Sequence, residues 1–141
     1  MDGRQLLLVI GMMQLGGARP WGEKGEPMVG GPIEISVEDP EVVKAAEFAV
    51  EQYNKKNNDA AVYKTERIVA AKQQVVAGKV FFIEMYLGKT ECQKYEAKQL
   101  EICAFTLPMK RLHCNFEVYS IPWKGETTLQ NDVCTRKQLN Y

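Results

Sequence analysis

One segment of this chain carries the clear apolar periodicity of a helix. In EDPEVVKAAEFAVEQYNKKNND, Asp39 is placed as an N-cap and Pro40 stands at the first helical position. The stretch Asn57-Asn58-Asp59 is typical of a helix end. The apolar residues between these signals fall at i, i+4, i+7, i+8 and i+11, on one face of a helix: Val42, Ala46, Ala49, Val50 and Tyr53. Because such a face must be buried, the helix needs a second layer to pack on.

Strand-like sequence supplies that layer. Runs with β-branched and aromatic residues and period-2 character predict these strands: Pro32–Val37, Thr65–Gln74, Lys79–Leu87, Leu112–Ile121 and Glu126–Cys134. We expect Gly88-Lys89-Thr90 to break the third strand, and the cysteine-bounded segment QKYEAKQLEI to form a loop-like appendage. The predicted fold class is α+β, with one long α-helix packed on an antiparallel β-sheet of about five strands.

Two predicted turns carry apolar side chains where the chain should meet water. Hairpin turns usually consist of Asn, Asp, Gly and Ser, yet Gln74-Val75-Val76-Ala77-Gly78 offers a single glycine. Pro122-Trp123 places a large ring at another turn, and Met28-Val29 precedes Gly30. An antiparallel meander brings both turns, and Gly30, to one end of the sheet. Clustered exposed apolar groups there indicate a binding surface. Taken singly, the same side chains are also compatible with packing on the core or, for Met28-Val29, with a tail.

Charge and motif content argue against several classes of function. The chain has 18 basic and 18 acidic residues and no basic stripe, so neither nucleic acid nor a membrane surface is an expected partner. It has no G-x-S-x-G or H-E-x-x-H motif and no phosphate-binding glycine loop, and we expect no free Cys beside its one histidine, His113. We therefore expect no enzymatic activity, no cofactor and no metal.

The N-terminus and the cysteines indicate secretion. Residues 1–18, MDGRQLLLVIGMMQLGGA, are similar to a signal peptide cleaved after Ala18. Their apolar run is too short to span a bilayer, and a buried N-terminal helix is the alternative. Residues 19–29 should be flexible. An even number of cysteines without a C-x-x-C pair favours two disulfides over a metal site and leaves three connectivities open. The cysteines are Cys92, Cys103, Cys114 and Cys134.

These residues resemble the secreted type 2 cystatins. Gln74–Gly78 is similar to the Q-x-V-x-G first-loop motif of that family, and Pro122-Trp123 matches its second-loop Pro-Trp. Gly30 matches its N-terminal glycine, with Met28 and Val29 as the preceding apolar pair. The segment EFAVEQYN and the four cysteines fit the same family, so that the resemblance covers about residues 28 to 134.

The resemblance implies a cystatin-like fold in which the helix packs on a curved sheet. The domain should span residues 30–134, followed by a C-terminal tail at 135–141 that is expected to be disordered. It also implies that the two disulfides are sequential, Cys92–Cys103 and Cys114–Cys134.

The resemblance further implies reversible, tight-binding inhibition of papain-like cysteine proteases. In this family the N-terminal segment and two hairpin loops form a wedge that enters the active-site cleft. A second implied target is the asparaginyl protease legumain, through Asn58, with Asn57 standing where the family usually has Ser. A monomer is expected, with exchange of the helix and first strand as a route to a domain-swapped dimer. The alternative is a non-inhibitory carrier or interaction protein of the same fold, which the intact Gly30 and Trp123 argue against.

Overall fold

A computed structural model of the chain describes residues 31–96 and 99–137, which form one helix and five strands. The elements in chain order are β1 (Ile33–Glu34), α1 (Pro40–Lys56), β2 (Ala61–Val76), β3 (Gly78–Gln93), β4 (Arg111–Ile121) and β5 (Glu126–Lys137), with short 3₁₀ helices at Leu100–Ile102 and Pro122–Lys124. The strands form one antiparallel sheet in the order β1-β2-β3-β4-β5. The predicted α+β class and the number of strands are confirmed.

Helix α1 forms where the capping signals predict it. The Asp39 carboxylate accepts a hydrogen bond from the Glu41 N–H at 2.8 Å, and the Asn57 N–H donates to the Tyr53 carbonyl at 3.0 Å. The buried residues of the helix are Val42, Ala45, Ala46, Ala49 and Val50. The predicted apolar face is confirmed, with Ala45 added and Tyr53 partly buried at its end.

The core lies between α1 and one face of the sheet. Alternate residues of β3 and β4 point into it and are at most 3% exposed: Phe81, Ile83, Met85, Leu87, Cys114, Phe116 and Val118. The predicted period-2 pattern of both strands is therefore confirmed. Burial of one large apolar side chain stabilises a fold by about 1.5–3 kcal/mol, so this layer stabilises the packing of α1 on the sheet.

Strand β3 does not end where the sequence predicted. It continues through Gly88-Lys89-Thr90 to Gln93. At Gly88 the ring of Phe105 packs against the backbone, and a Cβ atom there would lie 2.5 Å from the ring. This glycine therefore permits close packing within a strand, which is a known use of glycine in sheets, and does not break the strand.

Other strand boundaries also differ from the prediction, most of all in β1 and β2. β1 covers Ile33–Glu34 and not Pro32–Val37, because the chain turns towards α1 with the Asp39 N–H bonded to the Ser36 carbonyl. β2 begins at Ala61 and not at Thr65, because its pairing with β3 continues past the positions where the register shifts.

Strand β5 is longer than predicted. Thr135–Lys137, expected to begin a disordered tail, pair with Arg111–His113 of β4. Residues 138–141 lie outside the described residues, as do the predicted signal peptide at 1–18 and the segment 19–29.

Both disulfides join cysteines that are consecutive in the chain. Cys92 near the end of β3 is bonded to Cys103, and Cys114 of β4 is bonded to Cys134, its opposite residue in β5. The sequential pairing is confirmed, and no cysteine of the described residues is free. Each bridge restricts the unfolded chain and can contribute about 3 kcal/mol to stability. The described part of the chain contains no helix long and apolar enough to span a bilayer.

Candidate functional site

The first loop, Gln74–Gly78, is a very tight hairpin turn. Strand pairing continues to Val76 opposite Gly78, so Ala77 alone forms the tip. Gly78 has φ 103°, a conformation that glycine allows and L side chains rarely adopt. Val75 and Val76 remain 58% and 43% exposed. These valines therefore face solvent and do not fold back onto the core.

The end of β4 lies directly behind the first loop. A Cβ atom at Gly78 would stand 2.4 Å from the Ser120 carbonyl oxygen and 3.2 Å from the Tyr119 ring. The Tyr119 hydroxyl donates a hydrogen bond to the Ala77 carbonyl oxygen. The loop tip is thus held by a side chain of β4 as well as by its own two strands.

The second loop, Pro122–Gly125, follows β4 without a break. Its 3₁₀ turn is closed by the Gly125 N–H, which donates to the Pro122 carbonyl at 3.0 Å, and Gly125 takes a left-handed conformation with φ 62°. Trp123 is 68% exposed. The ring does not plug the core, and a large aromatic side chain left in water at a turn is suited to anchoring a partner.

Both loops lie at one end of the sheet, as predicted. Lys79, which follows the first loop directly, pairs with Ser120, two residues before Pro122. We call the first and second loops together the apolar edge. Lys79 also forms an ion pair with Glu41 in the first turn of α1, with Nζ 2.7 Å from Oε1. This pair joins the start of the helix to the base of the apolar edge.

The third predicted component of this surface is the N-terminal segment. Met28, Val29 and Gly30 lie outside the described residues. Within them, Ile33 of β1 pairs with Gln73, the residue before the first loop. The register of β1 thus places the start of this strand beside the apolar edge.

Asn58, the residue matched to legumain inhibition, is exposed between α1 and β2, at the end of β2 away from the first loop. Its neighbours are fixed by hydrogen bonds. The Asp59 N–H donates to Asn57 Oδ1 at 2.8 Å, and Lys94 Nζ donates to the Asn57 carbonyl at 2.6 Å. The Asn58 side chain is therefore presented on a segment that is braced on both sides.

Asp59 connects this segment to the sheet. Its carboxylate accepts hydrogen bonds from the Ala61 N–H and the Tyr63 hydroxyl and lies 3.2 Å from Lys89 Nζ. Burial acts to raise the pKa of Asp59, but these donors outweigh it and the net pKa lies below the ordinary value. For Tyr63, burial and then the bond to Asp59 raise the pKa to about 12.

The one histidine is paired with an acid on the outer face of the sheet. His113 Nε2 lies 2.7 Å from Glu84 Oε2, and its ring centroid is 5.2 Å from that of Tyr86. All four cysteines are in disulfides, so none can serve as a nucleophile for His113. Among residues 31–96 and 99–137, no group of three or more His, Cys, Asp or Glu side chains could hold a metal ion.

The sequence prediction missed two residues that support these sites. The prediction gives Tyr119 no role beyond its place in the strand Leu112–Ile121, and it places Lys94 in the loop-like appendage. The alternation of β4 does point Tyr119 away from the core, three residues before Pro122. The contact between Tyr119 and Ala77 depends on the register between β3 and β4. No short sequence motif indicates this register.

The chain is similar to known proteins over most of its length. A Cystatin domain is matched over residues 30–123. Human Cystatin-C is 38% identical over 115 residues, covering 78% of this chain and 78% of that protein. A cystatin of Pseudonaja textilis is 44% identical over 112 residues, covering 74% and 79%. The crystal structure of dimeric human cystatin F is similar with a TM-score of 0.73 and 28% identity, covering 85% of this chain and 98% of that one.

Proposed function

This chain belongs to the cystatin family of cysteine protease inhibitors, and we propose that it inhibits papain-like enzymes by filling their active-site cleft reversibly and tightly. The wedge consists of the apolar edge together with Met28, Val29 and Gly30. The observation that carries this proposal is that Val75, Val76 and Trp123 are exposed at one end of the sheet, on loops that the core and the strand pairing hold in place.

The two loops contribute different contacts. Val75 and Val76 lie against the walls of the cleft without offering a peptide bond to the catalytic cysteine. Trp123 packs on the rim of the primed side. Because the first loop has a one-residue tip held by β4, it loses little conformational entropy on docking, and a modest apolar contact becomes tight. The interaction needs no covalent bond and is therefore reversible.

The N-terminal segment completes the wedge. Met28 and Val29 occupy substrate-like subsites, and Gly30 lets the chain turn away before the position where a substrate would be cut. The pairing of Ile33 with Gln73 supports this arrangement, because it places the first residue of β1 beside the residue that precedes the first loop.

The protein acts outside the cell in this proposal. Residues 1–18 serve as the signal peptide, and the mature chain begins at Arg19. Two disulfides within a small domain suit an oxidising compartment.

The inhibition is tested by titration. The oxidised protein beginning at Arg19 is added to a papain-like protease whose active sites have been counted. We expect activity to fall linearly to zero near one equivalent and to recover on dilution. Val76→Ala should weaken inhibition, whereas Val133→Ala, which truncates a valine that is 51% exposed on β5, should not. Full protease activity in the presence of a large excess of wild-type protein would contradict the proposal and favour a non-inhibitory carrier or interaction protein.

We propose legumain as a second target, bound through Asn58. The exposed position of Asn58 and the hydrogen bonds that fix Asn57 and Asp59 beside it support a substrate-like presentation. Asn58→Gln should abolish inhibition of legumain and leave inhibition of the papain-like enzyme unchanged. Trp123→Ala should weaken inhibition of the papain-like enzyme and leave inhibition of legumain unchanged. Retained legumain inhibition by Asn58→Gln would exclude this site.

A further inference from the structure

We propose that Tyr119 is a positioning residue for inhibition, which holds the first loop in its binding conformation and fixes it relative to the second loop. Tyr119 belongs to β4 and to neither loop. The inference rests on the proposed function, because it assigns to this residue a share of the inhibitory affinity.

The hydrogen bond of Tyr119 reaches Ala77, which takes no part in the pairing of β2 with β3. Ala77 is the only residue between β2 and β3, so the ladder of strand hydrogen bonds ends on either side of it. The Tyr119 hydroxyl donates to its carbonyl oxygen. This bond therefore constrains the peptide at the tip, directly beside the exposed side chain of Val76.

Packing of the tyrosine ring adds a second constraint. Tyr119 pairs with Val80 across β3 and β4, and its ring lies 3.2 Å from the position of a Cβ atom on Gly78. The ring thus covers the glycine whose positive φ closes the turn. Hydroxyl and ring together hold both Ala77 and Gly78 against β4.

The same stretch of β4 leads directly into the second loop. Ser120 pairs with Lys79 on one side and Thr127 on the other, and Ile121 pairs with Glu126 before Pro122 begins the turn. A contact between Tyr119 and the first loop therefore couples two loops that are separated by 43 residues of sequence, Lys79–Ile121. If the first loop moved independently, only a fraction of the molecules would hold it in the binding conformation. The apparent affinity for the protease would then be the intrinsic affinity multiplied by that fraction.

Tyr119→Phe is the direct test, because it keeps the ring and removes only the hydroxyl. We expect association with a papain-like protease to slow by about two- to tenfold, the effect of one lost hydrogen bond on the competent fraction. Dissociation should change little. In the free protein, amide hydrogen exchange at Val76–Gly78 should become faster while exchange in the centre of β3 stays unchanged.

Tyr86→Phe is the matched control. Tyr86 lies in β3 beside His113, and its hydroxyl takes part in none of the hydrogen bonds found among the described residues. The same chemical change there should leave association and loop exchange as in the wild type.

Double variants separate positioning from general stability. The cost of Tyr119→Phe should shrink when Val75 and Val76 are both replaced by Ala, because the first loop then has less contact to position, and it should also shrink with Trp123→Ala, because the second loop then has less contact to which the first must be aligned. Unchanged association and exchange in Tyr119→Phe would overturn the proposal. Faster exchange throughout β3 would also overturn it, by making Tyr119 a residue of general stability. An inactive wild type would overturn this proposal together with the proposed function, and the wild-type titration alone reveals that case.

Discussion

At the scale of single residues, the apolar edge consists of side chains that stay in water although they are apolar. Val75 is 58% and Trp123 is 68% exposed, whereas the core residues of β3 and β4 are nearly inaccessible. Because these side chains stay largely exposed, they contribute little free energy of burial to folding. The proposed function would explain their exposure, and substitutions should separate binding from stability.

Trp123→Ala should weaken binding to a papain-like protease by about 2 kcal/mol or more, mainly through faster dissociation. Because the side chain is mostly exposed, the free energy of unfolding should change by no more than about 0.5 kcal/mol. Stopped-flow or surface binding kinetics and urea denaturation measure the two effects. A large loss of stability with unaltered affinity would show that the ring is structural.

Gly78→Ala should destabilise the fold by about 2–4 kcal/mol. The residue has φ 103°, and the added Cβ would meet the Ser120 carbonyl oxygen at 2.4 Å. Gly125→Ala is the matched control, since Gly125 also has positive φ but open space around its Cβ position. It should cost only about 1 kcal/mol. Equal costs in denaturant unfolding would mean that backbone strain alone, and not the contact with β4, sets the requirement at Gly78.

At the scale of elements, the types of helix and strand could be predicted but several of their ends could not. The Asp39 cap and the apolar face of α1 are local signals, and so is the alternation of β3 and β4. The local sequence around Gly88 predicts a strand break, because the role of this glycine depends on Phe105, which is distant in the chain. Thr135–Lys137 form a strand only through their pairing with β4, so the local sequence does not predict it. Strand ends that depend on such long-range contacts cannot be predicted from the local sequence.

The connection between α1 and β2 should respond to acid through Asp59. The folded-state pKa of this carboxyl is lowered, so its ionised form stabilises the fold. That contribution is present at neutral pH and is lost as the pH falls from about 4, the unfolded value, through the lower folded value. The difference in unfolding free energy between wild type and Asp59→Asn should thus be constant above about pH 5 and should narrow below about pH 4. A difference independent of pH would contradict this assignment.

At the scale of the whole molecule, the fold and the two loops could be recognised because their motifs are short and lie in order along the chain. Gln74–Gly78 and Pro122-Trp123 were predicted to meet at one end of the sheet, and they do. The bracing of the first loop by Tyr119, and of Asn57 beside Asn58 by Lys94, could not be predicted because both contacts cross the sheet or join separate segments. The contacts that brace these segments are thus less visible in the sequence than the loop motifs themselves.

Entry of the apolar edge into the active-site cleft of a papain-like protease can be measured directly. Binding of the protein from Arg19 is compared between the native enzyme and the same enzyme with its cleft filled by a covalent peptide inhibitor that spans the subsites. We expect tight binding to the native enzyme and a loss of at least about a thousandfold in affinity, or about 4 kcal/mol, for the filled enzyme. Equal affinity for both forms would place the contact outside the cleft and would exclude the proposed wedge.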